Sequence, residues 1–371
     1  MDIIGNRIWP RISRITPIGN RIFRAIREIR GKEKGEPLIP DRVYYPSCQL
    51  STLLRRACPL SSMCYKCRMS SFQLHTIDLC FLDTPQLIAS YALVGPNSVA
   101  LIETGPGSAL PNLLRGLRDL GIQPADVRDV LLTHIHLDHA GAAGWWARQG
   151  ATVHVHTVGA PHLIDPSKLI ASATRIYGDQ MNFLWGEILA VPPERLHALD
   201  DGDVVETSGA TIHVIDSPGH ARHHHCFQIG DIAFTGDAAG VRLPKYDWPA
   251  LHAPPPEFDL EAWHATLSRL SALNLKTLYP THFGAVADPA DHFRRFSSLL
   301  DECAEFVRQR LDEGLNRDEL IDRYRAWYTG RAAAANLDAA ARDDYAKVND
   351  VTQCVDGISR YWKKLGSRVV K

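Results

Sequence analysis

The string THIHLDHAG, at residues 133–141, constrains this chain more than any other part of its sequence. It follows the apolar run VRDVLL, a predicted strand, and supplies four ligand candidates: His134, His136, Asp138 and His139. Zinc and similar divalent cations prefer imidazole and carboxylate ligands, and the glycines beyond the string permit a tight turn. A lone buried histidine is more often a hydrogen-bonded structural residue, but this full set directly after a strand favours a metal site.

Three later strings each follow a predicted strand and end in a histidine or an aspartate. They are SPGH, TGD and PTH, which supply His220, Asp237 and His282. Because His134 and His136 are two positions apart, both side chains can reach one ion, and the ligands in the following turn can address a second. The sequence therefore predicts a metal centre with two ions.

Together, these four strings resemble the metallo-β-lactamase fold superfamily over residues 71 to 285. The resemblance implies an α/β fold, an αββα four-layer sandwich with its site at one edge and, in this chain, a helical C-terminal extension. It assigns three histidines to the first metal, His134, His136 and His220. It assigns Asp138, His139 and His282 to the second metal, and Asp237 to both as a bridge. Members that cleave β-lactams generally lack this bridge, so the chain is more similar to glyoxalase II, lactonases and phosphodiesterases.

The predicted chemistry is hydrolysis. Two cations that share a water lower its pKa from 15.7 toward about 7, and the resulting hydroxide would attack an electrophilic carbonyl or phosphorus. We expect a small-molecule ester, thioester or lactone as substrate, with Asp138 and Asp237 as the catalytic carboxylates. Zinc is the expected metal, with iron and manganese as alternatives.

Residues near the main strings are candidates for supporting roles. Glu103, in IETG, stands where many members of the resembled family have Asp, and is predicted either to hydrogen-bond a metal-bound imidazole or to cap the next turn. In the run 223–225, neighbouring side chains face opposite ways on a strand, so at most two approach the site. His224 is the candidate there, as a support or as a proton donor to the leaving group, with a purely structural role as the alternative.

The segment 168–189 is predicted to be a helical insertion that overhangs the site. Its Tyr177 is a candidate substrate contact, with core packing as the competing interpretation. Histidines outside the motifs are predicted to be structural: 154, 156, 162, 252 and 264.

Charge divides the chain. Residues 1–70 carry 14 Lys/Arg against 5 Asp/Glu, whereas the rest carries 27 against 37. A basic head is compatible with contact to nucleic acid or an anionic membrane, whereas an acidic body is a poor platform for either, so nucleic acid is not an expected partner. No run approaches the roughly 20 apolar residues of a membrane span, and a homodimer is compatible with the helical tail.

Three segments are expected from these patterns. They are a basic, poorly ordered extension (1–68), a catalytic domain (69–285) and a helical extension packed on it (286–371). Met69 is a hypothetical native initiator, which would make residues 1–68 upstream sequence. Cys48, Cys58, Cys64 and Cys67 are predicted to be reduced thiols, with a metal site as the alternative. The absence of a signal-peptide pattern predicts a reducing, cytoplasmic setting.

Two alternatives keep the fold but change the chemistry. A phosphodiesterase or nuclease would need a basic groove to gather phosphates, and the acidic body argues against one. An iron-dependent dioxygenase-like enzyme is compatible with His136, whereas flavodiiron members usually have an acidic residue there. A catalytically silent metal-binding protein is the remaining alternative, and the complete ligand set disfavours it.

Overall fold

A computed structural model describes residues 72–369, with side chains described up to residue 366. The expectations for residues 1–68, including those for Cys48, Cys58, Cys64 and Cys67, lie outside this part of the chain. The division into three segments remains a prediction.

Two β-sheets form the centre of the fold. The first has strands in the order β1 to β6, with β1 to β3 antiparallel and β3 to β6 parallel. The second has the order β11-β10-β9-β8-β7 and is antiparallel except for the β10/β11 pair. The first-sheet strands are β1 (Gln73–Asp78), β2 (Ala89–Val94), β3 (Val99–Ile102), β4 (Val127–Leu131), β5 (Thr152–His156) and β6 (Leu196–Leu199). The second-sheet strands are β7 (Val204–Thr207), β8 (Ala210–Asp216), β9 (His225–Ile229), β10 (Ile232–Gly236) and β11 (Thr277–Pro280).

Helices cover the outer faces of both sheets. Parallel neighbours need crossover connections, and helices supply them between β3 and β6 and between β10 and β11. Up to residue 271 they are α1 (Leu110–Asp119), α2 (Leu137–Ala140), α3 (Ala143–Arg148), α4 (Ala160–Ile164), α5 (Ser167–Tyr177), α6 (Met181–Trp185) and α7 (Leu260–Ser271). Helices α5 and α6 form the predicted insertion.

The strands are apolar on both faces because each sheet is covered twice. Val130 and Leu131 are neighbours on β4, yet Leu131 packs with Phe227 and Phe234 between the sheets while Val130 packs under the helices. Successive side chains of a strand point to opposite faces, so a four-layer arrangement needs such continuous apolar runs. The expected α/β sandwich is confirmed.

Four helices follow the last strand: α8 (Pro289–Asp312), α9 (Arg317–Ala334), α10 (Ala339–Val348) and α11 (Val351–Val369). Asn316 and Glu319 form a reciprocal capping box that begins α9, and Trp362 of α11 donates to the Ala304 carbonyl of α8 at 2.9 Å. Among the described helices, none combines the length and apolarity needed to cross a bilayer.

Candidate metal centre

The ligand candidates lie where strands end. Thr133 and His134 leave β4, and the short helix α2 that begins at Leu137 carries Asp138 and His139. The other three candidates follow β8, β10 and β11: His220, Asp237 and His282. The carboxyl ends of these strands meet at one edge of the sandwich, so residues far apart in sequence converge there.

Three imidazoles form what we call the three-histidine group: His134, His136 and His220. Nδ1 of His136 lies 2.9 Å from Nε2 of His134 and 2.9 Å from Nε2 of His220. Ring nitrogens from two separate turns, one carrying His134 and His136 and the other His220, therefore face one point, as the ligands of a single ion do.

A second cluster, the mixed group, consists of Asp138, His139 and His282. Oδ2 of Asp138 lies 3.7 Å from Nε2 of His139 and 3.4 Å from Nε2 of His282. Asp237 stands between the two groups. Its Oδ2 lies 3.5 Å from Nε2 of His220, while its Oδ1 lies 3.5 Å from Nε2 of His139. Each oxygen of this carboxylate thus faces a different group.

The outward nitrogens of these rings are held by acceptors. Nδ1 of His220 donates to the His252 carbonyl at 2.9 Å, and Nδ1 of His282 donates to the Leu87 carbonyl at 3.0 Å. A carbonyl only accepts, so in the neutral form of each ring the proton is on the outward Nδ1 and the Nε2 lone pair faces inward. Carbonyl or carboxylate partners of this kind fix the tautomer of metal-binding histidines.

Buried atoms at the centre lack hydrogen-bond partners within the described residues. Both carboxylate oxygens of Asp237 and the Nε2 atoms of His139 and His282 are in this state. Buried polar groups are normally paired, and here lone pairs and carboxylates converge on the same space. This donor set, of imidazole nitrogen and carboxylate oxygen, fits two divalent cations.

The two groups differ in charge. Burial, reinforced by neighbouring imidazoles, lowers the pKa of His134 and His136 well below the ordinary value and that of His220 to about 4. Burial also opposes a charge on His139, but the carboxylates of Asp138 and Asp237 outweigh it and raise the pKa of that ring well above its ordinary value. At neutral pH without metal, the three-histidine group is therefore neutral and His139 is positively charged.

The pKa of His282 is likewise raised, against burial, by the carboxylates of Asp237 and Asp138. Conversely, despite burial, the rings of His139 and His282 hold the pKa of Asp237 well below its usual range. The carboxylates of Asp138 and Asp237 thus give this part of the centre a negative charge, which a bound proton or metal cation neutralises.

Glu103 occupies the place predicted for a supporting carboxylate. Its backbone has the left-handed φ of +67°, and its buried Oε1 lies 3.4 Å from Nδ1 of His139. The same oxygen accepts from the hydroxyls of Thr133 and Thr281, the latter at 3.3 Å. The side chain therefore faces a proposed ligand and does not simply cap the GPGS turn; its function there remains a prediction.

The histidines of the run 223–225 have three different environments. The His224 ring stacks on His134, with ring centres 4.8 Å apart, and its Nε2 accepts the Asp237 backbone N–H at 3.1 Å. Its ring is fully buried, which suits support of two proposed ligands better than proton donation to a leaving group. His223 lies beside Glu257 at 3.2 Å, and His225 stacks on His156.

His156, Asp216 and His225 form another group with metal-like spacing. However, Nδ1 of His156 accepts the Val158 backbone N–H at 2.9 Å, which places the ring proton on Nε2. Nε2 then donates to Oδ1 of Asp216, with 3.2 Å between the two atoms. The nitrogen that would have to bind an ion is already a donor, so we interpret this group as a hydrogen-bonded pair between the sheets.

His252 reaches the centre although the sequence predicted a structural role for it. Nδ1 of His252 lies 3.4 Å from Oδ2 of Asp237, and its backbone carbonyl also accepts the hydrogen bond from Nδ1 of His220. It lies in the irregular segment PALHAPPPEF, which has neither a motif nor a strand or helix period. No sequence signal marked it.

Tyr177 lies half-buried in the insertion. Its ring contacts Trp185 edge-on, with ring centres 5.0 Å apart, and its hydroxyl accepts from Nε2 of Gln353 at 3.1 Å. These contacts pack Tyr177 between the insertion and α11, whereas a contact of Tyr177 with substrate remains a prediction.

Comparison with known proteins agrees with this geometry. A metallo-beta-lactamase fold-containing protein of Sulfurisphaera tokodaii is 25% identical over 58% of this chain and 79% of its own length. An atrochrysone carboxyl ACP thioesterase of Aspergillus fumigatus is 29% identical over 53% of this chain, and the match covers 46% of that fungal protein. The chain thus spans about half the length of the fungal relatives it matches.

A solved structure shows the same fold. The metallo-beta-lactamase family protein of Thermus thermophilus aligns with a TM-score of 0.58 at 22% identity, covering 79% of this chain and 94% of that one. The family model for the metallo-beta-lactamase superfamily matches residues 83–282, more than half of the chain and the whole stretch from the β1–β2 turn to the last ligand candidate. The chain belongs to the metallo-beta-lactamase superfamily.

Proposed function

We propose that this protein is a metal-dependent hydrolase with a dinuclear site that cleaves an ester-type bond, with thioesters as the first substrates to test. The observation that carries the proposal is the position of Asp237, whose two oxygens face the two ligand groups and lack hydrogen-bond partners among the described residues. A carboxylate so placed has the geometry of a bridge between two ions.

Two divalent cations bound here would polarise both a water and the substrate's carbonyl oxygen. The chain's own contribution is to hold the inward nitrogens and carboxylates at fixed positions. His134, His139 and His220 are fully buried, whereas Asp138 keeps 12% of its side chain exposed. Asp138, together with the half-buried His136, therefore marks the side from which a substrate reaches the centre. There its carboxylate is available to orient a water and to accept a proton.

Support for a thioester comes from the Aspergillus fumigatus relative, which is named a thioesterase. Thioesters, oxygen esters and lactones share an electrophilic carbonyl, so one site of this kind is compatible with all three. The acidic body of this chain, with 27 Lys/Arg against 37 Asp/Glu after residue 70, gives less reason to expect a phosphodiester.

The test is a turnover assay of zinc-loaded full-length protein on an acyl thioester, an oxygen ester, a lactone and a phosphodiester. We expect carbonyl substrates to be hydrolysed, with loss of activity in Asp237→Ala. Asp216→Asn is the matched control, because that carboxylate also faces a histidine but lies outside the centre. Turnover of the phosphodiester alone, or equal loss in both variants, would contradict the proposal.

A further inference from the structure

We propose that two tyrosines of the C-terminal helices are positioning residues for the metal centre, Tyr328 for His220 and Tyr345 for His282. This inference rests on the proposed dinuclear site and adds a role for helices α9, α10 and α11. It concerns residues 241–253, which we call the site loop and which join β10 to the segment before α7.

The site loop holds both of these ligand candidates through its backbone. The carbonyl of His252 accepts from Nδ1 of His220 at 2.9 Å. At the other end of the loop, the N–H of Arg242 donates to the carbonyl of His282 at 2.8 Å. Apart from one isolated bridge between Val241 and Ala250, the loop belongs to neither sheet, so its conformation must be fixed by other contacts.

The first anchor acts at Leu251, directly before His252. The Leu251 N–H donates to the Tyr328 hydroxyl of α9 at 3.3 Å, and its carbonyl accepts from the Cys354 thiol of α11 at 3.2 Å. Tyr328 and Cys354 are both buried. Because both polar groups of Leu251 are bound, the direction of the next carbonyl, which His220 uses, is constrained.

The second anchor acts at Leu243, directly after Arg242. The Leu243 N–H donates to the Tyr345 hydroxyl of α10 at 3.2 Å, and that hydroxyl donates in turn to the Trp248 carbonyl. One hydroxyl therefore joins two points of the site loop. This fixes the turn beside Arg242, whose N–H bonds the backbone of His282.

The helices also approach the loop too closely for it to shift freely. A Cβ at Gly357 of α11 would lie 2.1 Å from the Ala253 carbonyl oxygen, so only a glycine fits this contact. The helices thus restrict the site loop on one side. On the other side, its backbone forms hydrogen bonds with His220 and His282, which belong to different ligand groups. Loosening one anchor should therefore weaken one metal site more than the other.

The variants are Tyr328→Phe and Tyr345→Phe, which keep the rings and remove only the hydroxyls. Tyr324→Phe is the matched control on α9, because its ring stacks on Tyr328, with centres 5.7 Å apart. Its buried hydroxyl makes no hydrogen bond to the site loop. Zinc affinity of full-length protein is measured by chelator competition, and His220→Ala and His282→Ala identify which binding step belongs to which group.

Changing a group that orients a ligand typically costs 10- to 100-fold in metal affinity, and for these indirect contacts we expect about tenfold. Tyr328→Phe should weaken the three-histidine step, Tyr345→Phe the mixed-group step, and Tyr324→Phe neither. Thermal unfolding of the metal-free variants separates positioning from general destabilisation, which would lower both affinities together.

Two negative results would refute different parts of the proposal. Wild-type protein that binds fewer than two zinc ions would refute the dinuclear site. Wild-type protein that binds two ions, with both steps unchanged or equally weakened in Tyr328→Phe and Tyr345→Phe, would overturn the positioning role alone.

Discussion

Replacing Glu103 by Gln tests how the protein orients His139. The substitution keeps the shape of the side chain, and an amide oxygen at the Oε1 position still accepts from Thr133 and Thr281. It removes the negative charge that lies 3.4 Å from Nδ1 of His139. A carboxylate partner makes a ligating imidazole more basic, and losing such a partner costs about 10- to 100-fold in metal affinity, or about 1.4 to 2.8 kcal/mol.

The assay is zinc competition at several pH values. We expect Glu103→Gln to weaken the mixed-group step and to spare the three-histidine step at pH 7. Glu103 is also among the charges that raise the pKa of His139, so the variant lowers that pKa and protons compete less with zinc. The difference from wild type should therefore shrink as pH falls.

A control variant and one contradicting result test this prediction. Glu257→Gln removes a carboxylate that lies 3.2 Å from His223, which is not a proposed ligand, so its zinc affinity should be unchanged. Mixed-group affinity that is the same in Glu103→Gln and wild type would refute the reasoning and leave Glu103 as a purely structural acid.

Two further predictions concern protonation and backbone space. Zinc binding to the mixed group at pH 7 should release protons, because the pKa values of His139 and His282 are raised, whereas zinc binding to the three-histidine group should release almost none, because the pKa values of its rings are lowered. Calorimetry in buffers of different ionisation enthalpy measures the number of protons released in each step. Equal proton release in the two steps would contradict this prediction. Gly236→Ala should cost about 2 kcal/mol or more of unfolding free energy, because φ is +49° and the new Cβ would lie 2.4 Å from Oγ1 of Thr133. In Gly230→Ala, φ is +58° and the new Cβ would have no heavy atom within 4 Å, so the loss of unfolding free energy in denaturant titrations should be only about 1 kcal/mol. Equal losses in the two variants would show that the close contact with Thr133 does not contribute to the cost.

The convergence of the seven ligand candidates could be predicted because the strings that contain them resemble the motifs of the family and each string follows a predicted strand. An apolar strand followed by a short polar turn places His134, His220 or Asp237 at a strand end, and strand ends of one sandwich edge meet. The resemblance also marked Glu103 as a candidate partner of a ligand imidazole, but only the structure showed that this imidazole is His139.

The support around these ligands could not be predicted, because it depends on contacts between distant segments. His252 reaches Asp237 from a proline-rich loop without periodicity, and this loop is anchored at Leu251 by Tyr328, which lies 77 positions after Leu251. His224 illustrates an intermediate case: strand alternation limited how many of the three histidines reach the centre, but only the structure showed its bond to the Asp237 N–H.

Metal content tests the central claim most directly. Full-length protein is loaded with zinc, passed over a desalting column and analysed by mass spectrometry for ions per chain, alongside turnover of a thioester. The dinuclear account predicts two ions for wild type, and for Asp237→Ala at most one ion together with loss of hydrolysis. Two ions retained with normal turnover in Asp237→Ala would contradict the bridge, and a fully active wild type with fewer than two ions would contradict the dinuclear site.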